Sequence, residues 1–435
     1  MSKEGDNSMF LNSIRLQNFR CFSELEIDFS ERLTVIVGNN GAGKSTILEA
    51  ATIAAGTLTS AMDGLTNYGI KKSDAHYKCF EVGSVIDVQP QFPVEISAEG
   101  IVDGKLVQWS RILSSAKGRG GLASAKELTQ IANEYQNRLR QGDTSLKLPV
   151  ISYYGTGRLW DQHREKKNDT FEKNSRSNGY IDSLDGAAND KLMKKWFQKM
   201  TIQQFQRENI SPEYVAVCNA MAKCFRSITG CSDAKVQFNM DTNEIDVIYT
   251  NKNNERIRIP VNQLSDGYKC TISLIADIAY RMAILNPQLL DVVLEETEGI
   301  VLIDEIDLHL HPVWQQRIIG DLLEIFPKVQ FIVSTHAPAV INSVPSDSLI
   351  VLKENKAFGA PDETYGKDAN TILREVMEVA ERPQEIKALF NEFYNEIDEQ
   401  DYEKAQQALN KLEGILGNND SELTECRVRL ELEQM

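Results

Sequence analysis

Apolar residues along the chain fall into two kinds of run. Leu33 to Val37, Gly299-Ile-Val-Leu-Ile303 and Phe331-Ile-Val-Ser-Thr335 are almost continuously apolar, and Pro149 to Tyr154 reads the same way. Such runs suit strands covered on both faces. Strict alternation appears elsewhere. Strands are expected near 12–17 and 24–29, and Val94 to Ile112 alternates around Asp103-Gly104, the turn dipeptide of a tight hairpin. Lys235 to Pro260 alternates as another hairpin. Helices are expected from about Lys44 to Ala55, within 115–148, over about 190–229, and from Thr271 to Leu285. Residues 160–190 are polar and rich in Gly, Asn and Ser, which predicts a loop. There is no internal repeat and no sustained heptad pattern, so long coiled-coil arms are excluded.

The C-terminal segment carries its own pattern. Ile386, Leu389, Phe390, Phe393, Tyr394 and Ile397 form one amphipathic stripe; Tyr402, Ala405, Leu409, Leu412 and Leu416 form a second that stops at Gly417. These predict a helical appendage over 381–435, either a hairpin packed on its own head or a docking face for a partner.

Composition agrees with a globular enzyme of one large or two to three modest domains: 435 residues, 42% apolar. No apolar run approaches 18 residues, so no membrane-spanning helix is expected, and the polar start predicts no signal peptide and a cytoplasmic protein. Seven cysteines are scattered, and Cys218, Cys224 and Cys231 fit no zinc spacing. The net charge of −16 argues against nonspecific coating of nucleic acid. Residues 381–435 hold 14 acidic and 6 basic side chains. Residues 158–200 hold 10 basic and 7 acidic ones, so Arg164, Lys166, Lys167, Lys173, Arg176, Lys194, Lys195 and Lys199 with Trp196 form either a DNA or RNA contact or a solvated loop.

The chemistry starts at residues 38–46. Gly38, Asn39, Asn40, Gly41, Ala42, Gly43, Lys44, Ser45 and Thr46 spell a complete phosphate loop between an apolar run and a helix. Its glycines let backbone N–H groups curl around an anion. Lys44 reaches the β- and γ-phosphates, and the helix N-terminus adds positive potential. Ser45 offers its hydroxyl to Mg²⁺. The chain is therefore expected to bind ATP with Mg²⁺. Asp304 and Glu305 end an apolar strand, where Asp304 would hold the metal and Glu305 would orient or deprotonate the attacking water. His336 ends another and would contact the γ-phosphate or that water.

Leu264-Ser265-Asp266-Gly267-Tyr268-Lys269, leading into a helix, resembles the signature motif of ABC ATPases, with Asp266 where the first glycine usually stands. The resemblance implies head-to-tail pairing of two copies, with Ser265 and Gly267 of one capping ATP held by the other. Ile14-Arg-Leu-Gln-Asn-Phe-Arg20 resembles the first strand of RecF, SMC and OLD-type heads, which implies that Arg20 approaches the phosphates. Ile151-Ser-Tyr-Tyr-Gly-Thr-Gly-Arg158-Leu-Trp160, Asp304 to Pro312 and Thr364-Tyr-Gly-Lys-Asp-Ala-Asn370 extend the likeness to the ATPases of Septu anti-phage systems, the PtuA-like proteins, some of which accompany retrons. The family implies an α/β fold: an ABC-type P-loop head over 1–380, with a mostly parallel sheet, an antiparallel β-subdomain and a loop and helical insertion near 160–235, then the appendage. It also implies an HNH nuclease partner (PtuB-like), with a retron reverse transcriptase and its DNA as a further one. Residues 381–435 would contribute to docking the nuclease. His309 and His311 would lie at the interface between heads. The alternative is a RecF-like DNA-repair ATPase. One element departs from the ABC pattern: Tyr154, Gly155 and Thr156 stand where a metal-binding Gln is usual, leaving Thr156 or a water to replace it.

Overall fold

The computed structural model describes residues 9–118, 120–158, 175–186, 190–360, 363–379, 382–417 and 419–434. The chain divides into two units, Met1–Lys367 and Asp368–Met435. The expected division at 380/381 falls inside the second.

The first unit begins with strands β1 (Met9–Phe19), β2 (Phe22–Asp28) and β3 (Leu33–Gly38), then the helix Lys44–Ala55. A hairpin of β4 (Tyr77–Val82) and β5 (Val85–Pro90) precedes β6 (Val94–Val102) and β7 (Lys105–Leu113). β2-β1-β6-β7 form an antiparallel sheet in that order. β6 alternates buried and half-buried residues along its length, as the sequence predicts. Asp103 and Gly104 both adopt positive φ (55° and 70°), the geometry that matches a tight hairpin to the strand twist. The β4–β5 hairpin was not expected, because its apolar residues occur on both faces. Tyr77, Phe80, Val82, Val85, Ile86 and Val88 are all exposed.

After the helix Lys126–Arg140 come β8 (Val150–Tyr154), the helices Asp190–Arg207 and Pro212–Thr229, and β9 (Lys235–Asn239), β10 (Glu244–Thr250) and β11 (Arg256–Pro260). The last three make a three-stranded sheet, not the single expected hairpin. Asn251 N–H donates to the Glu255 carbonyl (2.9 Å) and closes a second turn there. The helix Asp266–Leu285 starts earlier than the apolar pattern suggested, because Ser265 occupies its N-cap. Then β12 (Gly299–Ile303), β13 (Val329–Thr335), β14 (Leu349–Lys353) and β15 (Lys356–Gly359) complete the unit.

The central sheet has the order β15-β14-β3-β13-β12-β8 and is parallel except for β15. β3, β8, β12 and β13 are buried throughout, which explains their unbroken apolar runs. Their ends are in register: Val37 lies opposite Thr335, and Ile303 opposite Val333 and Tyr154. The loops that follow line one carboxyl edge of the sheet, the place where open α/β sheets bind ligands.

Within the basic stretch, the described Trp196, Arg176 and Lys194 have structural contacts. Trp196 is buried and packs edge-on against Phe197 (5.2 Å between centroids). Arg176 donates to the Leu285 carbonyl (2.7 Å), and Lys194 pairs with Glu244 (2.7 Å). Arg164, Lys166, Lys167 and Lys173, together with Trp160, lie outside the described residues. Among the described residues no group of three His, Cys, Asp or Glu is placed to hold a metal, and no helix is long and apolar enough to cross a membrane.

The second unit is built from Ala369–Glu375, Gln384–Asp398, Tyr402–Leu416 and Ser421–Glu433. Both amphipathic stripes are buried within it: Ile386, Phe390, Phe393 and Ile397 pack with Ala405, Leu409 and Leu412, and with Leu423, Cys426 and Leu430 of the last helix. The pattern missed that helix because only those three apolar residues face inward, while Val428 and Leu432 are exposed. Arg382 ties the ends together, donating to Asp420 (3.0 and 2.9 Å) and pairing with Glu422 (2.9 Å). The buried residues of the two stripes therefore pack against each other and the last helix, with Leu389, Tyr394, Tyr402 and Leu416 partly buried at the margin.

Candidate functional site

β3 delivers Gly38 to the carboxyl edge, and the chain turns through Asn39, Asn40, Gly41, Ala42 and Gly43 into the helix that starts at Lys44. Gly41 (φ 83°) and Gly43 (φ 98°) are left-handed. Gly43 is also crowded, since a Cβ there would lie 2.5 Å from the Phe22 ring. No side chain caps the helix, so its first N–H groups stay available to an anion. Lys44 Nζ donates to the carbonyls of Gly38 (2.8 Å) and Asn39 (3.2 Å) and lies 3.5 Å from His336 Nδ1. Ser45 is exposed at the mouth of the loop, and Thr46 Oγ1 accepts a long bond from Cys21 Sγ (3.9 Å).

The sheet order explains the meeting of Lys44 and His336. β13 lies between β3 and β12, so its tip falls between the phosphate loop and the carboxylates. Burial and the Lys44 ammonium push His336 below its usual pKa, against the pull of Asp307, Glu305 and Asp304. The shift favours the neutral imidazole. Burial likewise lowers the Lys44 ammonium, against the same three carboxylates.

Asp304, 3% exposed, ends β12 and accepts from Ser334 Oγ (2.5 Å). The Glu305 N–H donates to that same Ser334 Oγ (2.8 Å). Glu305 itself sits at φ 46°, an uncommon conformation for a side chain other than Asn or Asp. From the loop after β8, Arg158 donates to the carbonyls of both Asp304 (2.7 Å) and Glu305 (2.9 Å). Thr335 Oγ1 donates to Asp307 Oδ1 (2.6 Å), which holds the segment that leads to His309 and His311. Neither Ser334 nor Arg158 had a role assigned from spacing. Both lay inside motifs, but their contacts depend on strands far apart in sequence. Thr156 is exposed on the same loop.

Ser265 is the N-cap of its helix, yet its hydroxyl makes no capping bond and it is exposed. Gly267 is buried against the following loop, where a Cβ would lie 2.6 Å from the His309 carbonyl oxygen. Tyr268 and Trp314 pack at a tilt of 54° across this junction, 4.4 Å between centroids. Among the described residues no hydrogen bond joins Ser265 or Gly267 to residues 38–46 of the same chain. Arg20 is held by Glu49 and by Asp74 (3.0 Å). Glu49 lies one turn along the helix from Ser45, so Arg20 braces the phosphate-loop helix.

Two family models match, an AAA domain over residues 13–224 and an AAA domain described as a putative AbiEii toxin of a Type IV toxin–antitoxin system over 130–342. The chain is 28% identical to the Retron Ec83 probable ATPase of Escherichia coli, across 96% of this chain and 86% of that one. It is 27% identical to the Septu protein PtuA of Bacillus thuringiensis across 94% of each. Among solved structures, the SMC head domain from Thermotoga maritima matches with a TM-score of 0.43 at 17% identity, covering 79% of this chain and 94% of that one.

Proposed function

We propose that this chain, an ABC-type ATPase of the RecF/SMC class, binds and hydrolyses ATP between two paired copies and so controls a separately encoded HNH nuclease in bacterial defence against phage. The observation that carries the reading is the convergence of Lys44, His336 and the Asp304-Glu305 pair at the tips of three neighbouring strands. The defence role rests on the retron ATPase and Septu PtuA relatives, matched over nearly the whole chain.

In this reading Lys44 exchanges two loop carbonyls for phosphate oxygens, and the N–H groups of residues 39–46 surround the anion. The donor types fit Mg²⁺: Ser45 is an exposed hydroxyl at the start of the phosphate-loop helix, and Asp304, one of whose oxygens is bonded to Ser334, follows a strand that ends at the same carboxyl edge. When bound there, the ion would neutralise charge on the phosphate oxygens. Glu305 accepts a proton from water as the water oxygen attacks the γ-phosphorus and ADP leaves. Neutral His336 beside Lys44 would bond the γ-phosphate or that water. Ser265 and Gly267 of a second copy would cap the nucleotide, which is consistent with an uncapped, exposed Ser265. His309 and His311 would then lie between the copies. A retron reverse transcriptase with its DNA is a further partner in this scheme.

Glu305→Gln should bind ATP, hydrolyse it at least about 100-fold more slowly, and accumulate as dimers with ATP in size-exclusion chromatography. Co-expression with a PtuB-like HNH nuclease should protect cells from phage in the wild type and fail with the variant. Wild-type turnover in Glu305→Gln would remove Glu305 from the role; unchanged protection would detach defence from hydrolysis.

A further inference from the structure

The loop after β8 lacks the Gln usual in ABC heads, yet it does not leave the hydrolytic strand end alone. Arg158 is 6% exposed, and its guanidinium lies behind the two acidic residues. Nη1 donates to the carbonyls of Gly155 (3.1 Å) and Asp304 (2.7 Å), Nη2 to that of Glu305 (2.9 Å), and Nε to Cys270 Sγ (3.4 Å) on the helix Asp266–Leu285. One planar group thus joins three parts of the head: its own loop, the Asp304-Glu305 turn and the signature helix.

The turn needs such support. Glu305 is left-handed at φ 46°, a conformation that persists only while the surroundings hold that backbone. Three bonds to neighbouring elements hold it: the Glu305 N–H donates to Ser334 Oγ, the next N–H along, that of Ile306, donates to the Ser334 carbonyl (2.9 Å), and Arg158 alone among side chains binds the Glu305 carbonyl. The Leu308 N–H also reaches that carbonyl (2.9 Å), but it belongs to the same turn and cannot anchor it to the sheet. We infer that Arg158 is the positioning residue for the hydrolytic carboxylates. It acts through the Glu305 backbone, and its bond to Cys270 lets a shift of the signature helix alter the aim of Glu305. The inference rests on the ATPase reading above.

A lysine at this position keeps the charge but offers one compact ammonium in place of a fork, so it cannot bridge both carbonyls and Cys270 together. The experiment measures kcat, KM and the equilibrium affinity for a fluorescent ATP analogue in wild type, Arg158→Lys, Arg158→Met and Glu305→Gln, with a thermal melt of each. The expected result is a kcat lowered at least tenfold in Arg158→Met and by a smaller factor in Arg158→Lys. Analogue affinity should stay within threefold, because Arg158 bonds only main-chain carbonyls at Asp304 and Glu305 and no residue of the phosphate loop. If wild-type protein hydrolyses ATP, Glu305→Gln does not, and folded Arg158→Met turns over at the wild-type rate, the inference is wrong while the ATPase reading stands. A folded Arg158→Lys that loses affinity and kcat in equal proportion also overturns it, since that marks a structural role alone. A wild type without turnover would fail the ATPase reading itself.

Discussion

Ser334→Ala isolates the least visible part of the site. The hydroxyl is fully buried on β13, donates to Asp304 Oδ1 (2.5 Å) and accepts from the Glu305 N–H (2.8 Å). Removing it leaves one part-buried N–H unpaired, at most about 1–3 kcal/mol, and takes a hydrogen bond from a charged group, at about 1.5–3 kcal/mol. Arg158 still holds the Glu305 carbonyl, so only part of that sum should reach the transition state. We expect kcat to fall about 10- to 100-fold, or roughly 1.4–2.7 kcal/mol. ATP affinity should change by less than about threefold, because Ser334 faces the carboxylates and not the phosphate loop. Ser334→Cys, which keeps a weaker donor, should fall between the two. The assay is steady-state phosphate release beside equilibrium binding of a fluorescent ATP analogue, with circular dichroism to confirm the fold. A folded Ser334→Ala enzyme with kcat within about twofold of wild type would refute the view that this hydroxyl fixes the Asp304-Glu305 geometry.

Lys44→Ala and Ser265→Arg should each abolish turnover alone, whereas an equimolar mixture should recover some, because mixed pairs keep one intact composite site; an active Ser265→Arg homodimer would remove the signature assignment. His336 should titrate below the ordinary value of 6.5 by NMR of labelled histidine, and Lys44→Ala should raise its midpoint. A depressed folded pKa means that the folded state favours the neutral ring, so this contribution to stability is present above 6.5 and lost as pH falls through the lowered value. A midpoint above 6.5 in the nucleotide-free protein would contradict the geometry. Phe393→Ala, at the centre of the second unit's core, should destabilise that unit by about 3–5 kcal/mol while leaving ATP binding by residues 38–46 unchanged. Lost ATP binding would show that the units fold together. Deleting 368–435 should likewise spare ATP binding, and retained nuclease pull-down would place the docking surface elsewhere.

Local chemistry made much of this protein legible from sequence. The phosphate loop is recognisable because anion binding needs glycine, lysine and hydroxyl at fixed spacing along one short segment, and Gly41 and Gly43 do adopt the left-handed backbone that only glycine enters freely. The four strands that carry the site are readable because double burial demands unbroken apolar runs, and the Asp103-Gly104 hairpin because its turn type demands positive φ. Tertiary structure decided the rest. Strand order set His336 beside Lys44, a meeting across 292 positions that no spacing encodes. It also made Ser334 and Arg158 the supports of Glu305, Trp196 a core residue, and the two C-terminal stripes each other's partners. Amphipathic spacing states that one face must be buried, but the surface that buries it belongs to another part of the chain. Only the fold chooses that surface.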